Sequence, residues 1–217
     1  VPPGEDGCPV FHAYAKILKN LEWAGYLSAT GVYGNHDGGW VDEKTKHAPT
    51  GKRGRNRLAA EEQWRSLLPQ SFPLHIFRLA GIYGAGRSAL DTVRAGKVQC
   101  IDKPDHVFNR IHVEDVTRAL VASIKNPRPG ALYNVADDLP APACAVTLLA
   151  CALMGQPAPM PVPFDQAEIS PALRAFYKDN KRVKNTLLKK ELGLSLLYPD
   201  YRAGLRACLE AEDRASA

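Results

Sequence analysis

Long apolar runs, C-x-x-C motifs and glycine-rich phosphate loops are all missing from this sequence of 217 residues. No apolar run approaches the roughly 18 residues that a membrane-spanning helix needs, and no basic segment is followed by an apolar one as in a signal peptide. Hydrophobic residues nevertheless make up 45% of the chain, enough for a sizeable buried core. We therefore expect an ordinary globular protein with no membrane partner, cytoplasmic by default and with an organelle as the alternative location.

The cysteines are few and widely spaced, and none forms a C-x-x-C pair. There are five, an odd number: Cys8, Cys100, Cys144, Cys151 and Cys208. This pattern argues against both a disulfide framework and a structural zinc site, so reduced, buried thiols are predicted. No histidine has a second ligand at metal spacing, and no metal site is predicted.

The net charge of +5 is modest, and most of it lies in a basic stretch between residues 44 and 57. Such a cluster can bind nucleic acid, but no aromatic side chains are interleaved for base stacking, and no nucleic-acid motif is present. The sequence favours a solvated loop and helix start, with a phosphate-contacting role as the alternative. No nucleic-acid partner is predicted.

Strand-like and helix-like segments alternate along the chain, which predicts βαβ units and a mostly parallel sheet. The segment 74–80 is apolar almost throughout, as in a strand covered on both faces, so Arg78 within it needs an anionic partner. Segment 156–164 reads as a proline-rich connector. Further strands are predicted at 23–28, 98–101, 107–111 and 132–135, and helices at 9–21, 53–68, 88–95, 113–125, 143–154, 171–178, 181–192 and 199–211.

Two groups of polar residues follow predicted strands. In open α/β sheets, ligands bind beyond the carboxyl ends of the strands. Ser28 and Thr30 lie at such an end, where they could contact a substrate or cap the loop's own backbone, and spacing does not separate the two. His112 and Asp115 could form an acid/base pair, but a helix start with Asp115 binding backbone N–H groups is favoured.

Five segments in order carry a family resemblance. The first runs from YLSATGVYG through WVDE to AAEEQW, and the other four are FRLAGIYGAGR, NRIHVEDVTRAL, ALYNVADDLP and NKRVKNTLLKKELGLSLLYPDYRAGLRA. The series resembles the extended and atypical short-chain dehydrogenase/reductases, the NAD(P)-dependent epimerase/dehydratase group. The resemblance implies a partial Rossmann-like, doubly wound parallel sheet with a small, mainly helical C-terminal lobe. Residues 1–139 would form the nucleotide-binding domain and 140–217 the lobe, to which parts of 85–110 could also belong.

The chain departs from that family at its start. The family begins with a strand, a G-x-x-G-x-x-G turn and a helix whose N-terminus holds the cofactor pyrophosphate. This sequence has no such turn, and the glycines between Gly81 and Gly86 have a different spacing that indicates a tight turn. Residues 1–20 already resemble the middle of the family's nucleotide domain, so we expect a fragment that lacks the first strands.

The second departure concerns the family's catalytic Tyr-x-x-x-Lys pair. Alignment on Glu61 puts Arg53 at the tyrosine position and Arg57 at the lysine position. Arginine does not shuttle protons near pH 7, but it can hold a ribose hydroxyl or a phosphate. The resemblance therefore implies a set of cofactor-binding residues: Arg53, Arg57, Ala80, Gly81, Ile82 and Tyr83. Ser28, Thr30 and Tyr33 remain as the catalytic candidates.

The resemblance implies an NAD(P)-dependent epimerase/dehydratase-like oxidoreductase that uses NADP or NAD. Its substrate would be a nucleotide-sugar or a similar hydroxylated small molecule. The alternative is a non-catalytic NAD(P)-binding or degenerate member of the family. The sequence leaves open the substrate, the choice between NAD and NADP, and the oligomeric state.

Overall fold

A computed structural model describes residues 2–18, 20–70 and 72–216. All five strand pairings in this part of the chain are parallel, as the sequence predicts. The strands are β1 (Ala24–Ala29), β2 (Trp40–Val41), β3 (Leu74–Leu79), β4 (Gly81–Tyr83), β5 (Cys100–Asp102), β6 (Arg110–His112), β7 (Leu132–Val135), β8 (Pro161–Pro163) and β9 (Arg182–Val183). The helices are α1 (Pro9–Tyr14), α2 (Lys52–Arg65), α3 (Ala89–Arg94), α4 (Val113–Lys125), α5 (Ala143–Leu153), α6 (Pro171–Phe176), α7 (Thr186–Leu192) and α8 (Tyr201–Ser216).

The central sheet has the order β1-β3-β7, with β3 in the middle and all six of its residues buried. Successive side chains of a strand point to opposite faces, and β3 follows this rule. Leu74 and Ile76 pack in one cluster with Trp64 of α2. Phe77 packs in another with Val116 of α4. Helices thus cover both faces of the sheet, which is the predicted doubly wound arrangement.

A third apolar cluster joins helices α3, α5 and α8, and it forms the core of the mainly helical C-terminal part. Leu90 of α3, Ala150 of α5 and Leu205 of α8 are almost completely buried there. Tyr83 of β4 contributes its ring to the same cluster. The helical lobe predicted from the sequence is therefore present, and the domain boundary at residue 140 stays a prediction.

Helix α1 is shorter than predicted. It ends at Tyr14 and does not continue to Leu21. Ile17 is 69% exposed and Leu21 38% exposed. Short helices in water depend on the packing of an apolar face, and these side chains have little to pack against. The helical spacing of the apolar residues alone therefore predicts a longer helix than the structure contains.

Three segments contain strands where the sequence predicted other structure. Strand β8 lies within the proline-rich connector and pairs with β5, and proline is tolerated there because such an edge strand pairs on one side only. Strand β9 occupies the start of the predicted helix 181–192, and α7 begins only at Thr186. Strand β4 forms the first half of the glycine segment read as a turn, while Gly84 and Arg87 close a tight turn after it.

Cys100 and Cys144 form a disulfide, so the prediction that all cysteines are reduced is wrong for this pair. Cys100 begins β5 and Cys144 lies in the first turn of α5, which packs against β5 and brings the two Cα atoms to 4.4 Å. Their sequence separation of 44 hides this contact in the sequence. Cys8, Cys151 and Cys208 are buried free thiols.

Among the described helices, none combines the length and the apolar character needed to span a bilayer.

Candidate functional site

The candidate site lies where β1 and β3 end, next to the start of α2. Strand β1 passes directly into a 3-10 turn, Thr30–Tyr33, and α2 packs across that turn. Gly54 in the first turn of α2 allows this approach, because a Cβ atom there would lie 2.6 Å from the Gly31 carbonyl oxygen and 2.9 Å from Pro49 Cβ. The missing side chain thus positions the first residues of α2 beside the end of β1.

Replacing Gly54 with alanine is expected to destabilise the protein by about 1–3 kcal/mol, the usual cost of overpacking. The clash is with backbone, so the helix has to move away from the turn rather than let a side chain rotate. Urea unfolding of the variant measures the effect. Gly51→Ala is the matched control, since a Cβ at Gly51 meets no atom within 4 Å. Equal stability of the two variants would contradict this account of the packing.

A buried ion pair joins α2 to β3 beneath this turn. Arg78 donates two hydrogen bonds to Glu61, Nε to Oε1 at 3.0 Å and Nη2 to Oε2 at 2.7 Å. The two side chains are 0% and 1% exposed. Ser28 of β1 donates its hydroxyl to the same carboxylate. The anionic partner that the sequence demanded for Arg78 is therefore Glu61, and it ties β1, β3 and α2 together.

Two aromatic side chains surround the Arg78 guanidinium. Tyr33 lies with its ring centre 4.8 Å from the guanidinium carbon, and His47 accepts from Arg78 Nη2 at 2.6 Å. Burial by itself lowers the pKa of Arg78, but the Glu61 carboxylate outweighs it and the pKa is raised overall. Burial, followed by the nearby Arg78 charge, lowers the pKa of His47. His47 is therefore a neutral acceptor for Arg78 at pH 7.

The three catalytic candidates occupy different environments. Ser28 is buried and its hydroxyl is committed to Glu61. Tyr33 is completely buried, donates to Asn134 Oδ1 at 2.7 Å, and has a pKa raised mainly by burial. Thr30 is partly exposed at the mouth of the site. Of the three, Thr30 alone is placed to touch a ligand in this conformation.

The two arginines of α2 that were predicted to bind the cofactor also differ in their environments. Arg57 Nη1 donates to the Leu27 carbonyl oxygen at 2.9 Å, which holds a permanent cation beside the end of β1. Arg53 is exposed, and its guanidinium lies 5.9 Å from the centre of the Phe176 ring. Arg57 therefore has a defined place at the site, whereas Arg53 points toward α6.

The segment after β3 contributes the remaining predicted cofactor contacts. Ala80 is buried, while Gly81 and Ile82 are exposed on β4. Tyr83 turns into the helical lobe, where its hydroxyl donates to the Asp200 carbonyl oxygen and its ring meets His112 edge-on. Burial strongly raises the pKa of Tyr83. Gly81 and Ile82 are thus open to a ligand, and Tyr83 serves packing.

The favoured reading of His112 and Asp115 agrees with their contacts. Asp115 is completely buried and accepts the backbone N–H groups of Leu197 and Tyr198 at 2.7 and 2.9 Å. His112 caps α4, with Nδ1 accepting from the Glu114 N–H at 3.3 Å. Both side chains are engaged in joining α4 to the C-terminal part of the chain.

One buried carboxyl group at this edge of the sheet is not predicted from the sequence. Asp137 comes two residues after the end of β7 and is 2% exposed. The sequence feature that could have identified Asp137 is a pair of acidic residues just after a buried parallel strand. Such a position is informative because this fold binds ligands at strand ends. Asp137 and Asp138 border a cavity that none of the predicted site residues lines.

A nicotinamide dinucleotide is the cofactor that this fold implies, and one half of it fits the residues present. Thr30, Gly31 and Arg57 offer a hydroxyl, an open backbone and a cation at the end of β1, suited to a ribose and its neighbours. No glycine turn in this sequence could cradle the pyrophosphate. The fit is to the nicotinamide-ribose end alone.

The chain is similar to known proteins in both sequence and structure. No protein-family model matches the chain. The curated Escherichia coli protein YeeZ is 37% identical over 112 residues, which is 51% of this chain and 38% of YeeZ. A solved structure of a conserved protein of unknown function from Silicibacter pomeroyi is 47% identical, with a TM-score of 0.93, over 97% of this chain and 76% of that one.

More distant structures carry functional descriptions. A protein from Methylobacillus flagellatus, provisionally assigned as an NAD-dependent epimerase/dehydratase, is 28% identical with a TM-score of 0.66, over 89% of this chain and 65% of that one. Solved sugar-nucleotide enzymes with NAD, at 16–20% identity, share the fold. The chain has the Rossmann-like fold of the NAD-dependent epimerases and dehydratases, and it belongs to one family with the conserved Silicibacter pomeroyi protein.

Proposed function

We propose that this chain forms the nicotinamide-and-substrate side of an NAD(P)-dependent oxidoreductase of the epimerase/dehydratase type. Its substrate would be a nucleotide-sugar or a similar hydroxylated molecule. The observation that carries the proposal is the grouping of Thr30, Gly31 and Arg57 at the carboxyl end of β1. Solved structures of the same fold contain NAD or NADPH, which supports this class of cofactor.

Arg57 would hold the cofactor ribose. Its guanidinium is fixed by the Leu27 carbonyl oxygen, and it retains further N–H donors for a ribose hydroxyl. Arginine stays protonated at pH 7, so it binds and orients but does not transfer a proton. The bound nicotinamide would accept or supply a hydride.

Thr30 would orient a substrate hydroxyl or carbonyl by a hydrogen bond. Its position at the end of β1 is the place where open α/β sheets bind ligands. Ser28 and Tyr33 would act as support, because their hydroxyls hold Glu61 and Asn134. Gly81 and Ile82 would line the approach from the β3 side.

Arg57→Ala tests the cofactor part of the proposal in the full-length protein. Loss of a charged hydrogen bond is worth about 1.5–3 kcal/mol, so NADPH or NADH binding should weaken by about 10- to 100-fold. Titration of the reduced nucleotide's fluorescence measures this change. Arg55→Ala is the matched control, because Arg55 is an exposed arginine on the same helix that contacts the Thr50 carbonyl oxygen instead.

Two further outcomes bear on the proposal. Unchanged binding in Arg57→Ala, with wild-type binding intact, would remove the proposed ribose contact. Tight binding without consumption of NADPH or NADH in the presence of any sugar nucleotide would favour the alternative, a non-catalytic member of the fold. The retained scaffold with an arginine in place of a proton-shuttling tyrosine is the observation that favours that alternative.

A further inference from the structure

One stretch of the C-terminal part, residues 168–176, leaves the body of the protein between two buried side chains, and we call it the flap. Ala167 before the flap and Tyr177 after it are both buried. Helix α6 forms most of the flap, and none of its residues is buried. Arg174 Nη2 donates to the Ala167 carbonyl oxygen at 3.0 Å, which draws the two ends of the flap together.

The base of the flap is firmly packed. Ala167 and Tyr177 belong to one apolar cluster with Ile101 of β5. The ring of Tyr177 meets that of Phe108 edge-on, with the ring centres 5.0 Å apart, and Lys103 Nζ donates to the Tyr177 carbonyl oxygen. Segments with few buried apolar contacts open at low free energy, whereas packed segments do not. Movement is therefore expected between the two ends of the flap and not at its base.

The C-terminal end of the flap lies beside the first turn of α2, which borders the candidate ligand site. The Phe176 ring centre is 5.9 Å from the guanidinium carbon of Arg53. Three residues earlier on this side, Thr50 donates its hydroxyl to Asp179. Arg53 directly precedes Gly54, the residue that packs against the turn at the end of β1. The flap thus adjoins the part of α2 that frames the site.

The chain that leaves the flap is attached to the opposite side of the site. Lys181 is buried, and its Nζ donates to the Gly34 carbonyl oxygen at 2.9 Å. Gly34 directly follows the turn Thr30–Tyr33. The segment from Phe176 to Lys181 therefore runs from the start of α2 to the end of this turn, across the place where both meet.

The contacts that hold the flap against α2 are weak ones. Arg53, Phe176 and Thr50 are all exposed, so water competes for the guanidinium and for the hydroxyl. A cation over an exposed aromatic ring shifts an equilibrium by only about 2- to 5-fold. An element held by such contacts passes readily between a closed and an open arrangement.

We propose that the flap is a lid for the ligand site and that the contact between Arg53 and Phe176 is its latch. Closed, the lid holds the Phe176 ring beside the start of α2 and limits the access of water to a bound molecule. Opening breaks only the latch and the hydrogen bond of Thr50, so a ligand can leave while both parts stay folded. The inference rests on the proposed function for the identity of the ligand alone.

The first test follows the latch itself, in the full-length protein with fluorine at the ring 4-position of its six phenylalanines. Phe176→Leu identifies the 19F resonance of Phe176. Before any ligand is added, Arg53→Gln should move this resonance toward that of free fluorophenylalanine. Arg53→Lys is the matched control, because it keeps a cation and should preserve most of the wild-type position. Saturating NADPH or NADH should move the wild-type resonance in the opposite direction.

The second test measures release of the ligand. Displacement of bound NADPH by excess NADP+, followed by stopped-flow fluorescence, should be about 2- to 5-fold faster in Phe176→Ala than in the wild type. Leu173→Ala, at an exposed position of the same helix, is the matched control and should release NADPH at the wild-type rate.

Two results would overturn the proposal. A Phe176 resonance that Arg53→Gln leaves unchanged would mean that there is no latch. Saturable nucleotide binding that neither moves the Phe176 resonance nor is released faster in Phe176→Ala would mean that the flap does not cover the site. Absence of nucleotide binding in the fluorescence titration would contradict the proposed function instead, and the ligand-free comparison of the Arg53 variants would still decide on the latch.

Discussion

Glu61→Ala is expected to lower the free energy of unfolding by about 3–5 kcal/mol, since it leaves the charge of Arg78 buried and unpaired. Arg78 is 0% exposed, and its Nε and Nη2 atoms both donate to Glu61. The Ser28 hydroxyl loses its acceptor in the same step. Urea unfolding followed by circular dichroism measures the change, and a loss this large removes a substantial part of a typical domain's stability.

The neighbouring residue supplies the control. Glu62 is exposed on the same helix, so Glu62→Ala should change stability by less than about 0.5 kcal/mol. The double variant Glu61→Leu with Arg78→Met should recover most of the loss, because two apolar side chains need no mutual charge compensation. A Glu61→Ala protein as stable as Glu62→Ala would mean that Arg78 finds another anion or is hydrated.

Removal of the disulfide between Cys100 and Cys144 should be about as costly. The bond closes a loop with a sequence separation of 44 residues, for which the chain-entropy model gives about 4 kcal/mol. We expect the variant Cys100→Ala with Cys144→Ala to unfold at correspondingly lower urea concentration. The oxidised wild type, measured in parallel, provides the reference.

Reductant distinguishes the bond from the packing of the two side chains. Reduced wild type should approach the double variant in stability, while the double variant itself should not respond to reductant. Cys151→Ala, at a buried free thiol on α5, should still respond to reductant as the wild type does. Equal stability of wild type with and without reductant, at full reduction verified by mass, would show that the bond adds nothing to the folded state.

The parallel sheet is predictable from the sequence because the segments that form its strands carry a clear local pattern of apolar residues. The apolar run 74–80 became β3, the buried middle strand, and the demand for an anion beside Arg78 was met. Which residue supplies this anion is not predictable from the sequence. Glu61 lies on a different element, and the packing of α2 brings it next to Arg78. In the family resemblance, Glu61 serves only to align Arg53 and Arg57 and has no expected contact with Arg78.

The errors have a common physical origin in contacts between distant parts of the chain. Cys100 and Cys144 meet because α5 packs on β5, which the spacing of cysteines does not encode. Strand β9 forms because β2 pairs with it, although the local pattern around it resembles a helix. Helix α1 ends early, and Ile17 and Leu21 of its predicted apolar face are exposed. Asp137 was overlooked since burial, rather than residue type, sets its chemistry.

The pairing of β2 with β9 has a consequence for biosynthesis. His36 and Gly38 donate their backbone N–H groups to the Asn180 carbonyl oxygen, and Lys184 donates to the Val41 carbonyl oxygen. These bonds join positions more than 140 residues apart, and long-range contacts form only after the intervening chain is available. During translation the loop after β1 must wait, without these native partners, until residues 180–184 have left the ribosome. The two-stranded sheet of β2 and β9 is therefore completed only after all strands of the β1-β3-β7 sheet have been synthesised.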